Sequence, residues 1–185
     1  MERRDFLRTV GASAVLALLP RESALAWTRV RSGTRPSDGL TDPHLALVGA
    51  IADVIIPRTD SPSATDVGVP AFVDIIVSEQ LSDSDRDAFV AGLDGITTTL
   101  QSGAGVDFGE RSSEEREKAI AAIEALTDRR AEPQRTYWRL KGLIVHGYFT
   151  SEPVMKDVLK TEIMPGRFDG AAPMPLRAAR TGDVK

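Results

Sequence analysis

Apolar residues recur at helical intervals along most of this chain, and no segment alternates apolar and polar convincingly. Val48, Ile51, Ala52 and Ile55 stand at i, i+3, i+4 and i+7, one face of a helix. Thr41-Asp42-Pro43 reads as its start, a capping residue with proline in the first turn, and Pro57 stops it. Val69, Phe72, Val73 and Ile76 form the stripe of a second helix running from about Pro70 to Gln80. Ser82-Asp83-Ser84-Asp85 supplies caps for a third, with Phe89, Leu93, Ile96 and Leu100 inward. Ser112-x-x-Glu115 is a capping box, and it opens a fourth helix with Ile120, Ile123 and Leu126 inward. A fifth, from roughly Gln134 to Phe149, carries Tyr137, Trp138, Leu140, Ile144, Val145 and Tyr148 around most of its girth, which predicts a central position. Ser151-Glu152-Pro153 caps a short sixth with Val154, Val158 and Leu159.

The expected fold is all-α: one compact domain of about six helices over residues 41–163. Long loops fall at 57–69 and 101–111. Residues 27–40, with Gly33, Pro36 and Gly39, read as a flexible lead-in, and the Pro- and Gly-rich residues 164–185 as an extended tail.

The first 26 residues have a different pattern. Arg3 and Arg4 precede Phe6-Leu7, an apolar run follows from Val10 to Leu19, and Ala24-Leu25-Ala26 offers a small-residue cleavage site at Ala24 and Ala26. Basic start, short apolar core and small-residue site are the parts of an export signal, and the arginine pair makes it resemble a twin-arginine signal. Glu2 departs from that pattern, which prefers Ser or Thr there. An apolar run of about ten residues is too short to cross a hydrocarbon core of ~30 Å. The twin-arginine route carries folded chains. A passenger on it holds a cofactor inserted beforehand or escorts a partner that does, and the expected destination is the periplasm.

Composition narrows the chemistry. The 185 residues carry a formal net charge of −4, without the basic footprint that nucleic acid requires. There is no cysteine, which excludes disulfides, thiolate metal sites, iron–sulfur ligation and cysteine nucleophiles. His44 and His146 are the only histidines, and neither has a second histidine or an acid at metal-site spacing. Gly103-Ala104-Gly105 imitates the start of a dinucleotide fingerprint, but Phe108 takes the third glycine position and no strand precedes it. His146 on the apolar fifth helix reads as a histidine satisfied in the core or at an interface, and His44 as a surface residue. No catalytic, cofactor-binding or metal-binding residue is assigned. With nothing in the body to fold around, the economical reading is an escort.

Several stretches carry a family resemblance. They are Ile51-Ala52-Asp53-Val54-Ile55-Ile56-Pro57, Gly68-Val69-Pro70-Ala71-Phe72-Val73-Asp74, Phe89-Val90-Ala91-Gly92-Leu93, the run from Lys141 to Glu152, and Pro165-Gly166-Arg167-Phe168-Asp169-Gly170. In this order and spacing the chain resembles the gluconate 2-dehydrogenase subunit 3 family, small subunits of bacterial flavin-dependent sugar dehydrogenases. The resemblance implies a non-catalytic subunit without a cofactor of its own. It would bind an FAD-dependent catalytic subunit of the glucose–methanol–choline type, often with a multihaem cytochrome c that takes the electrons. The twin-arginine translocation machinery would export the pair. Without cysteines, association here would be non-covalent.

The aromatic residues of the C-terminal third suggest where a partner would sit. Tyr137, Trp138, Tyr148, Phe149, Pro165 and Phe168 are the expected interface residues, since aromatics anchor interfaces. The alternative is a stand-alone periplasmic enzyme or binding protein acting on a small sugar, with an acid or His146 as base.

Overall fold

The computed structural model describes residues 20–36, 39–101, 107–126 and 131–160. Every regular element among them is helical, so the all-α expectation holds. The order is α1 (Pro20–Ser32), α2 (Asp42–Ile55), α3 (Val69–Gln80), α4 (Asp83–Gln101), a single 3₁₀ turn (Phe108–Glu110), α5 (Ser113–Glu124), α6 (Gln134–Thr150) and a π turn (Val154–Val158).

α3 and α6 form the centre. α3 packs against α1, α2 and α6, while α6 also meets α4, α2 and α5. The composition of α3 explains its place: Val69, Phe72, Val73, Ile75, Ile76 and Val77 are all buried, leaving no broad face for water. α6 contributes Tyr137, Leu140, Leu143, Ile144 and Tyr148 to the same core. Two glycines set how closely the helices approach. A Cβ on Gly147 would lie 2.7 Å from Cδ1 of Phe72, and one on Gly92 would lie 2.0 Å from Oγ1 of Thr136. Both belong to the stretches that carry the family resemblance, and tight packing is the physical reason for a glycine there.

The long loop between α2 and α3 is held by side chains. Asp53 accepts from the Thr65 amide at 3.0 Å and from the Thr65 hydroxyl at 2.7 Å. Tyr148 buries its ring and donates its hydroxyl to the Pro62 carbonyl at 2.9 Å, tying α6 to the loop. Gly68, at φ +84, turns the chain into α3. The capping box at α5 forms as expected, with the Ser112 amide donating to Glu115 at 3.0 Å.

Three expectations are corrected. The lead-in expected over 27–40 is in part regular structure: α1 runs to Ser32, and Ala26 and Trp27 lie in the core. Gly33 and Pro36 were weighted as loop signals, but both fall beyond the helix end. Pro20 opens α1, where its missing N–H costs nothing. Leu126 is 49 % exposed rather than inward, because α5 ends at Glu124 and the phase of its stripe ends with it. The short sixth element is a π turn in which only Val154 is buried, while Val158 and Leu159 face water.

Candidate functional site

α6 carries two apolar stripes, centred about a third of a turn apart on the helix. The inner one is Tyr137, Leu140, Ile144 and Tyr148. The outer one is Trp138, Gly142, Val145 and Phe149, which with Lys141, His146 and Thr150 lines a shallow open depression of about 540 Å³. Phe149 is 48 % exposed and meets the Tyr148 ring edge-on, centroids 5.4 Å apart. Trp138 is half-buried and lies edge-on to Tyr137 at 5.7 Å. Gly142 leaves the middle of the stripe without a side chain, which opens the depression there.

Charge on this face is neutralised. Lys141 places its ammonium over the Trp138 ring at 5.2 Å and 2.6 Å from Glu124. Glu124 also receives the Tyr137 hydroxyl. Burial and that carboxylate push the Tyr137 phenol well above its ordinary value, so it stays protonated and donates. His146 is held below the ordinary imidazole range by desolvation. Its Nε2 lies 2.7 Å from the Ser23 hydroxyl, and its ring is tilted against Phe72 at 6.1 Å. The depression is therefore a mainly apolar surface whose cation, Lys141, is paired with Glu124.

A second cluster lies around His44. Thr41 Oγ1 is 3.0 Å from Nδ1, and Asp94 Oδ1 is 2.9 Å from Nε2. Hydroxyl, imidazole and carboxylate in a row are the parts of an activated nucleophile. The surroundings do not continue the analogy. Thr41 is exposed, and Asp94 and Asp107 line the adjoining depression of about 190 Å³, where negative charge developing on a substrate would be repelled. The cluster joins the start of α2 to α4. No group of three potential metal ligands occurs among the described residues.

The expected interface residues separate. Tyr137 and Tyr148 are buried in the core and are not available to a partner, while Trp138 and Phe149 line the outer face. Pro165 and Phe168 lie outside the described residues, as do Arg3, Arg4, Phe6 and Leu7. Ala24 is exposed on α1, whereas Ala26 is buried. Val145, read only as part of the apolar girth of the helix, and Gly142 stand at i+7 and i+4 from Trp138, the spacing that groups them. No described helix is long and apolar enough to cross a membrane.

Comparison with curated proteins returns no match, and comparison with solved structures returns none. The family model for gluconate 2-dehydrogenase subunit 3 matches residues 42–166, from the start of α2 past the π turn. The matched span holds both glycine contacts, the Asp53 clamp and the outer face of α6. On that span the chain belongs to the gluconate 2-dehydrogenase subunit 3 family.

Proposed function

We propose that this protein is the non-catalytic small subunit and export escort of a periplasmic, FAD-dependent sugar dehydrogenase of the glucose–methanol–choline type. The family places the chain beside a dehydrogenase. The observation that carries the reading is the outer face of α6. Phe149 is exposed there with Trp138 and Val145 half-buried beside it, and the lysine of the face, Lys141, is paired with Glu124. Such a face gains free energy by being covered with protein. A sugar would instead demand several polar groups aimed at its hydroxyls. In this reading FAD belongs to the catalytic partner, and a multihaem cytochrome c accepts the electrons. Arg3 and Arg4 carry the folded pair through the twin-arginine machinery.

The test is co-expression with the FAD-dependent partner that this reading requires. The wild-type chain is expected to co-purify from periplasm with a flavin absorbance. Phe149→Glu places a charge on the face at a half-exposed position, removing only the edge contact with Tyr148, and it should weaken capture of the flavoprotein by roughly ten-fold or more. Replacing Arg3 and Arg4 by Lys keeps the charge but loses the planar fork, and both proteins should then stay cytoplasmic. Normal periplasmic activity in the double-Lys variant would refute the escort role. Undiminished capture by Phe149→Glu would move the interface elsewhere.

A further inference from the structure

Helix α1 runs across the bond at which an export leader of this sequence would be cut. Ala24 and Ala26 stand at the small-residue positions of the site, yet residues 20–32 are one continuous helix. The two residues that flank the bond are buried, Ala26 at 3 % and Trp27 at 8 % exposure, as is Ser23 at 3 %, while Ala24 and Leu25 face water. Trp27 stacks on Phe72 with centroids 5.0 Å apart, and its indole N–H donates to Thr150 at 3.1 Å. Ser23 bonds His146. These contacts reach α3 and α6, the two central helices.

We propose that the Ala26–Trp27 bond survives export and that the leader remains joined to the working protein. The proposal rests on the export reading above and adds the fate of the signal. A peptidase binds its substrate as an extended strand, so a helical site must first unwind. Cleavage within folded structure then follows the population of the opened form. A chain that folds before it is transported makes the α1 contacts before it meets the peptidase. Cutting would also damage the domain. It would set a charged α-ammonium on Trp27 against Phe72 and discard Ser23 from His146. The six residues left, 27–32, are far too few to hold a helix on their own. α1 lies outside the matched family span, yet it packs on α3 and α6 within it. It is a structural part of the domain and not a spacer. The apolar run from Val10 to Leu19 stays attached directly ahead of it.

Two measurements decide this. The first is intact mass spectrometry and N-terminal labelling of the chain purified from the exported fraction. The expected species contains residues 20–26; a mature N-terminus at Trp27 overturns the proposal. The second uses the full chain purified from the cytoplasm of a strain lacking the twin-arginine translocase, mixed with bacterial signal peptidase in detergent micelles. The folded wild-type chain should resist cutting, whereas Trp27→Ala keeps both alanines of the site but loosens the helix. The variant should be cut faster on the order of a hundred-fold, the shift in opening expected from truncating a buried tryptophan. Cutting of wild type at the variant's rate overturns the proposal. A wild-type chain found only in the cytoplasm refutes the export reading instead, and the peptidase reaction still decides whether the bond is protected.

Discussion

The indole of Trp27 lies stacked on the ring of Phe72, centroids 5.0 Å apart and 23° between planes, and this contact fastens α1 to the centre of the domain. Phe72 is fully buried between Trp27 on one side and Gly147 on the other. Trp27→Ala is expected to cost about 3–5 kcal/mol of folding stability, as other buried aromatic truncations do. Urea denaturation with far-UV circular dichroism measures it. A loss under about 1 kcal/mol would mean that α1 is peripheral.

Acid should loosen the same helix through His146. Desolvation lowers the pKa of this imidazole from its ordinary value of 6.5. The folded state then binds fewer protons than the unfolded state between the lowered value and 6.5, so stability falls as pH falls through that window and is fully present above it. Ser23 and Phe72 are the neighbours that face the ring. His146→Gln keeps a polar partner for Ser23 and cannot titrate. Its melting temperature should show less loss than wild type between pH 7 and pH 5. Parallel profiles for the two proteins would sink this account.

Asp74 should act in the opposite direction. Its carboxylate is buried, accepts from the Leu40 amide at 2.6 Å and has Arg35 3.9 Å away. Burial outweighs these partners and raises its pKa above the ordinary 3.8. A raised acid stabilises the fold below its unfolded pKa, and that contribution is lost as pH rises through the folded value. Asp74→Asn retains the acceptor for Leu40 without a charge. Relative to wild type, the variant should gain stability between pH 4 and pH 7. A variant that loses ground over that range would show that the ionised form is the favoured one.

The two packing glycines should differ in cost. In Gly92→Ala the new methyl meets Oγ1 of Thr136 at 2.0 Å and Cβ of Thr136 at 2.6 Å. That Cβ is fixed to the α6 backbone, so α4 and α6 must move apart. In Gly147→Ala the three atoms nearest the methyl are ring atoms of Phe72, from 2.7 Å, and a ring can tilt. Overpacking costs about 1–3 kcal/mol, occasionally more. Gly92→Ala should lie at or above the top of that range and Gly147→Ala within it. Thermal melts of the two variants that reverse this order would refute the assignment of the tighter contact to α4 and α6.

Much of the helix inventory is local chemistry and was legible in order. Pro43 in the first turn of α2, the capping box Ser112–Glu115 before α5 and the stripe of α4 each act within one or two turns, whereas Thr41 holds the N-cap position of α2 without a side-chain cap and pairs with His44. Such signals need no knowledge of the rest of the fold. The same holds for the family, whose short stretches combine turn chemistry with core spacing.

Which side of a helix faces inward is settled between helices. α6 shows apolar residues around most of its girth, and its periodicity sorts them into two stripes without saying which is buried. Phe72, reaching Gly147, and the Gly92–Thr136 contact put Tyr137 and Tyr148 in the core and leave Trp138 and Phe149 outside. α1 shows the same limit. Residues 20–32 are mostly polar, with Arg29 and Arg31 near its end, and lack a long apolar stripe. Its order comes from partners far along the chain, Phe72 for Trp27 and His146 for Ser23. A helix of this length is marginal alone in water, so its existence depends on a tertiary surface that local spacing does not contain.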